Sequence, residues 1–323
     1  MMKRRSVLGL MLAAPLLAAC GGQSPTQSAP NGSGTGNGLL TVGMIPVAHF
    51  APVYIAQKEG FFREEGLEVK TQKIQNAASI VPSVINGQLS FGTSSGTPFI
   101  NAVSKNLPVR AVAPAGANPD TPESDTIGVL VGSDGPSTLG DLKGKTLAVN
   151  AQGSQPHIAI AKLLKEAGVD PKSLNIVAMP MADSLAALKQ GRIQAAAVAE
   201  PFVTIGLQQG AQELTALYSL AFKSVGMESV YFASEQLIAS RRDEVDAFCR
   251  SMIKANELAN QDPKLLESIL VSELDMDKDL AGKMVKPTFA SNLEPDTLIE
   301  ISSVMVETDF LAQAPASEKL VLS

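Results

Sequence analysis

From Leu39 onward, β-like apolar runs alternate with segments of helical apolar spacing, the pattern of an α/β chain with parallel sheets. "TVGM" (41–44) leads through a polar loop to Pro52, which opens the helix-like "VYIAQKEG". "TLAVNAQGSQP" repeats that order, and Pro156 opens "HIAIAKLLKEAG". Further on, "VINGQLSFGTSSGTPF" and "LKQGRIQAAAVAEPF" each read as a helix end, a glycine, a strand, a loop and Pro-Phe. Pro156 follows Pro52 by 104 residues, Gly191 follows Gly87 by 104, and Pro201 follows Pro98 by 103. Landmarks that keep one offset point to an internal duplication. The period is too long for a solenoid, whose units run about 20–50 residues. Two similar α/β lobes are expected.

The prolines give the pattern its physical meaning. Proline suits the first turn of a helix, where its missing N–H has no partner to lose. Pro52, Pro98, Pro156 and Pro201 therefore mark helix starts just after strand ends. Gly168 and Pro171 supply a stop for the helix after Pro156. After Phe202 the repeat lapses: "SVYFAS" (229–234) reads as a strand, and 243–260, 263–271 and 295–312 carry helical spacing. "TIGVLV" (126–131) and "SVYFAS" are the expected crossings between lobes, a two-strand hinge. The expected division is 39–126 plus 228–323 for the first lobe and 127–227 for the second. In "GFFREEGLEVK" (60–70), Gly60 ends the first helix and Phe61 and Phe62 pack the first lobe. Leu67, Val69 and Ile74 are expected to be buried in the next strand.

The N-terminus follows a different pattern. Lys3, Arg4 and Arg5 precede an apolar run from Val7 to Ala19, too short to span a bilayer, which needs about 20 residues. Residues 1–19 read as a signal peptide. "LAAC" resembles a bacterial lipobox in which Cys20 carries the lipid. Arg4-Arg5 also resembles a weak twin-arginine signal. Residues 20–38, rich in Gly and Ser, form a tether; the 18 residues after Cys20 span about 23 Å r.m.s.. The expected location is outside the cytoplasm, on the outer face of the cytoplasmic membrane.

With Cys20 used for lipid, Cys249 has no disulfide partner and shares a helical face with Val245, Phe248 and Met252 as core filler. Loss of the three signal-peptide bases takes the formal charge from −6 to −9, which argues against a nucleic-acid partner.

In open α/β sheets, loops at the carboxyl ends of strands line the ligand crevice. Four such loops carry His49, Ser94, Ser95, Thr97, Gln152, Ser154, Gln155, His157 and Glu200, and neither Lys nor Arg. Helix N-termini there favour an anion by about 0.3–1 kcal/mol each. Glu200 favours a ligand ammonium or N–H, or it caps its own helix. The set suits a monoanion with donors, a zwitterion or a nitrogen heterocycle. The chain lacks H-E-x-x-H, P-loop and G-x-G-x-x-G motifs, and its two histidines make a poor metal site. No catalytic residue, metal or cofactor is expected.

"AQKEGFFREEGLEV", "LGDLKGKTLAV" and "LKQGRIQAAAVAEPF", together with the lipobox, resemble the solute-binding proteins of bacterial ABC importers. The branch is that for sulfonates, taurine, nitrate and thiamine pyrimidine precursors. The resemblance covers about residues 39–270. It implies a type II periplasmic-binding fold closing on a small ligand, delivery to a permease with its ATPase subunits, a monomer, and no enzymatic activity. Its pocket loops match Val47 to Phe50, Ser94 to Thr97, Gly153 to His157 and Ala199 to Phe202. Candidate ligand contacts are thus Val47, His49, Phe50, Ser94, Ser95, Thr97, Gly153, Ser154, Gln155, His157, Glu200 and Phe202. Eukaryotic pyrimidine-precursor synthases look similar but carry a cysteine-rich motif and use iron and pyridoxal phosphate. An enzyme of that kind and a membrane-tethered sensor are the alternatives.

Overall fold

The computed structural model describes residues 38–322, residue 75 excepted. The signal segment, Cys20 and nearly all of the tether lie outside the described residues. Ten strands follow in order: β1 (Leu40–Met44), β2 (Val69–Lys73), β3 (Phe91–Ser95), β4 (Val109–Pro114) and β5 (Ile127–Val131), then β6 (Thr146–Val149), β7 (Asn175–Ala178), β8 (Ala195–Ala199), β9 (Gln212–Ala216) and β10 (Ser229–Ser234). They build two sheets, ordered β2-β1-β3-β10-β4 and β7-β6-β8-β5-β9. Each sheet has one antiparallel member, β10 in the first and β5 in the second. Without that member, both read second-first-third-fourth strand of their own lobe. The duplication reaches the register: Val42 pairs with Phe91 and Leu147 with Ala195.

The two crossing segments pair with each other. Ala115 donates its N–H to the Ser229 carbonyl at 3.0 Å, Glu228 to Gly116 at 2.9 Å, and Asn118 to Gly226 at 2.9 Å. The link between lobes is thus a short antiparallel ribbon with its backbone groups paired rather than two loose strands. It lies just outside the strands named from sequence, which sit inside the sheets.

Pro52 opens a helix over Pro52–Glu59, and Pro156 is the second residue of Gln155–Glu166. Pro98 lies in the first turn of Gly96–Ser104, and Pro201 precedes Phe202–Gln208. All four prolines sit where a helix N-terminus leaves N–H groups unpaired.

Phe61 and Phe62 form a helical turn, Phe61–Glu64, buried in the first lobe. Phe62 stacks on Phe248 at 5.6 Å between centroids, and Phe248 stacks on Phe91 at 3.9 Å. Phe248 comes from the long helix Arg242–Gln261, with Val245 and Met252 on the same buried face. Cys249 is half-buried at the margin of this core, and burial pushes its thiol up to about 11.

Two local expectations are corrected. Val69 and Ile74 are only half-buried, because β2 is an edge strand with one neighbour. The last long helix is Asp296–Glu307, stopping short of residue 312: Asp309 turns left-handed at φ 63°, and Phe310 and Leu311 both donate back to the Met305 carbonyl. Apolar spacing continued past the helix because Phe310 folds back onto the same core. That core is shared by both lobes, taking Phe99 and Ile100 from the first, Ile158 and Leu163 from the second, and Ile301 and Met305 from this helix.

Candidate functional site

Two of the four loops meet across the lobes. The turn after β3 ends at Ser95, whose extended backbone (φ −70°, ψ 164°) hands the chain to the helix starting at Gly96. The turn after β6 does the same at Ser154 for the helix starting at Gln155. A Cβ on Gly96 would lie 3.0 Å from the Glu228 carbonyl oxygen and 3.2 Å from Gln155 Oε1. A Cβ here would press on both, and Gly96 donates its N–H to that carbonyl at 2.7 Å.

Glu228 stands at the centre of the seam and was absent from the sequence-based site. It is 3 % exposed, at the mouth of β10, and accepts a hydrogen bond from Gln155 Nε2 at 3.0 Å. Burial pushes its carboxyl up to about 7, Asp125 adds to the rise, and the Ser229 hydroxyl and Gln155 amide oppose it. A lone acid directly before an apolar run, "MESVYF", was the available signal. Asp125, at the other crossing, is also raised by burial, although it accepts from the Ile127 and Ser219 N–H groups and the Ser219 hydroxyl.

The histidines are held neutral. His49 Nε2 lies 3.2 Å from Thr126 Oγ1, and desolvation lowers the ring to about 4. Its Cδ2 and Glu228 Oε1 would lie 2.7 and 2.8 Å from a Cβ on Gly116, so both press on that glycine. His157 Nδ1 accepts the Gly153 N–H at 3.0 Å, which leaves the ring proton on Nε2. Burial lowers this ring too, and Phe310 packs edge-on against it at 4.7 Å.

The remaining candidates are distributed unevenly. The Glu200 carboxylate accepts from Thr204 N (3.0 Å), Thr204 Oγ1 (2.8 Å) and Val285 N (3.1 Å), so it caps its helix and ties it to the C-terminal segment. Phe50 packs against Tyr231, whose hydroxyl donates to the Phe50 carbonyl at 3.2 Å, inside the first-lobe core. Phe202 packs against the second-lobe core. Val47 is exposed, Ser95 is half-buried, and Ser94 Oγ donates to the Ser95 carbonyl.

Thr97 Oγ1, Ser154 Oγ and Gln155 Oε1 are buried without a protein partner, as are Asn118 Oδ1 and Thr297 Oγ1 nearby. Asn118 reaches the seam through Gly226, against which Thr297 packs, and Thr297 shares a helix with Ile301, the neighbour of Gly96. Buried polar groups are ordinarily paired, so these unpartnered oxygens make the surroundings of Gly96 and Gln155 the candidate site.

Over residues 47–265 the sequence matches the family described as "NMT1/THI5 like". The chain belongs to the NMT1/THI5-like family. Its relatives include the riboflavin-binding protein RibY of Chloroflexus aurantiacus, 26% identical over 81% of this chain and 76% of that protein. The taurine-binding periplasmic protein of Escherichia coli is 26% identical over 69% of this chain and 68% of its own length. NMT1/THI5-like relatives also include a yeast 4-amino-5-hydroxymethyl-2-methylpyrimidine phosphate synthase, 23% identical over 76% of this chain and 74% of its own. The fold is that of the periplasmic aliphatic sulphonate binding protein SsuA of E. coli, with a TM-score of 0.73 at 16% identity over 88% and 92% of the two chains. This is the two-lobed periplasmic-binding architecture expected from the sequence.

Proposed function

We infer that this protein is the solute-binding component of an ABC importer, taking a small polar organic solute between its lobes. The observation that carries this reading is the seam itself: Gly96, next to Thr97 in one lobe, meets Gln155 of the other beside Glu228, and Thr97, Ser154 and Gln155 each bury an oxygen with no protein partner. A solute there satisfies groups from both lobes at once and favours the closed form, the state a permease can distinguish from the open one. In this reading residues 39–126 with 228–323 move as one lobe and 127–227 as the other. The ligand contacts come from His49, Ser94–Thr97 and Gly153–His157, with Val47 at the rim. Cys20 carries the lipid, and the protein works as an exported monomer alongside the permease and its ATPase subunits.

Kinship with riboflavin- and taurine-binding proteins supports the class without naming the solute. The test is a thermal-shift screen of the purified protein against organic anions, zwitterions and nitrogen heterocycles. A solute at 100 times its Kd should add about 2.7 kcal/mol of stability. A screen in which no solute moves the melt, with a membrane or a partner protein moving it instead, removes this reading in favour of a tethered sensor. Kinship with the yeast synthase supports an enzyme as the second reading. Conversion of a bound pyrimidine or its precursor, followed by mass spectrometry, would favour that alternative.

A further inference from the structure

Resting on the solute-binding reading, we propose that Glu228 is the specificity residue of the site and selects a ligand that brings N–H donors, ammonium or amidinium in type, against anions. The hydrogen-bond inventory of the seam leads there. Every buried side-chain atom left unpaired in the seam is an oxygen, and two of them, Gln155 Oε1 and Asn118 Oδ1, can only accept. The contact from Gln155 Nε2 to Glu228 fixes that amide, so its oxygen faces Gly96 and cannot turn into a donor without losing the carboxyl. An ionised Glu228 adds a carboxylate with about four acceptor positions. The hydroxyls of Thr97, Ser154 and Thr297 can donate as well as accept, so the groups that only a donor-bearing ligand can satisfy are Gln155 Oε1, Asn118 Oδ1 and the ionised Glu228.

Charge points the same way. The charged group acting on Glu228 is another acid, Asp125, and the buried Tyr218 feels both. His49, on the other side of Gly116, is neutral at physiological pH. An anion placed here would meet two buried carboxyls with no guanidinium or ammonium in the four loops to offset them. The opposing influence is the pair of helix N-termini at Gly96 and Gln155. It is weakened because the Gly96 N–H is already given to the Glu228 carbonyl, and Pro98 and Pro156 have no N–H.

A cationic ligand donates to the carboxylate positions that Gln155 Nε2 leaves free and drives Glu228 to ionise. Atoms balance simply: Glu228 loses its proton to solvent as the ligand's N–H bonds form. Binding therefore releases protons near neutral pH, and affinity rises with pH through about 7.

The experiment is isothermal titration of the purified protein with benzamidine and 4-aminopyridine as N–H cations, tetramethylammonium as a cation without N–H, and methanesulfonate and nitrate as anions. Each titration is run in two buffers of different ionisation enthalpy, which reads proton release in the unaltered protein. Expected are binding of at least one N–H cation with proton release, none by tetramethylammonium, and a loss of more than tenfold in Glu228→Gln. Thr97→Val serves as a second variant: removing an orphaned hydroxyl should raise the melting temperature of the free protein and weaken the cation. The proposal is overturned if methanesulfonate or nitrate binds with equal affinity in the parent and Glu228→Gln, or if the cations bind without proton release. Either result leaves the solute-binding reading standing. Failure of every solute, in this set and in the broader screen, removes that reading and this one together.

Discussion

Replacing Glu228 by glutamine should change the pH dependence of stability more than stability itself. Between pH 5 and 7 the unfolded chain carries Glu228 ionised, since its ordinary value is 4.5, whereas the folded protein keeps it protonated up to about 7. The folded state holds the extra proton, so stability falls as pH rises, by up to about 1.4 kcal/mol per unit. Over this interval the loss comes to about 2 kcal/mol. His49 acts with the opposite sign. Its ordinary value is 6.5 and its folded value about 4, so the unfolded chain holds the extra proton and stability rises with pH. With the ring only half-buried, about 1–2 kcal/mol is the fair expectation. The two slopes nearly cancel. Asp125 and His157 form a second opposed pair, the acid raised and the imidazole lowered, and are unchanged in both variants. Urea unfolding at pH 5, 6 and 7 reads these slopes by linear extrapolation. Relative to the parent, Glu228→Gln should gain about 2 kcal/mol from pH 5 to 7 and His49→Gln should lose about 1–2 kcal/mol. A Glu228→Gln profile that superimposes on the parent would refute the reasoning, because the buried carboxyl would then titrate alike in both states.

Phe248→Ala should cost about 3–5 kcal/mol in the same urea assay, since it empties the stack between Phe62 and Phe91; a loss below about 1 kcal/mol would mean the three rings do not hold the first lobe. Glu200→Gln should cost about 1–3 kcal/mol by weakening its bonds to Thr204 and Val285 while leaving ligand affinity unchanged; a tenfold weaker ligand with an unchanged melt would return Glu200 to ligand binding. Gly96→Ala puts a methyl 2.9 Å from Ile301 Cδ1 and 3.0 Å from the Glu228 carbonyl oxygen, and about 1–3 kcal/mol of lost stability is expected in a thermal melt; a neutral result would show that the chain at Gly96 is not packed tightly against these two groups.

The sequence by itself determined what repeats and what starts or stops an element. Prolines at matched offsets located four helix starts, because a missing N–H and a fixed φ are local properties of the residue. The apolar run of β10 and the Phe61-Phe62 pair were legible as scaffold for the same reason: burial follows spacing along one element. Less visible was the overrun of the last helix, where apolar spacing continued through Phe310 although Asp309 had already reversed the chain. Tertiary structure alone decided which polar groups share the seam. Gln155 and Glu228 are 73 residues apart, and nothing in either stretch announces the other. It also placed Phe50 in the core, although its loop was marked for ligand, while Glu200 took up the helix cap, one of the two roles the sequence left open to it. A loop's position follows from local rules, but the partner of each side chain depends on how two separately folded sheets come together, and pairing is what sets the charge and hydrogen-bonding capacity of the site.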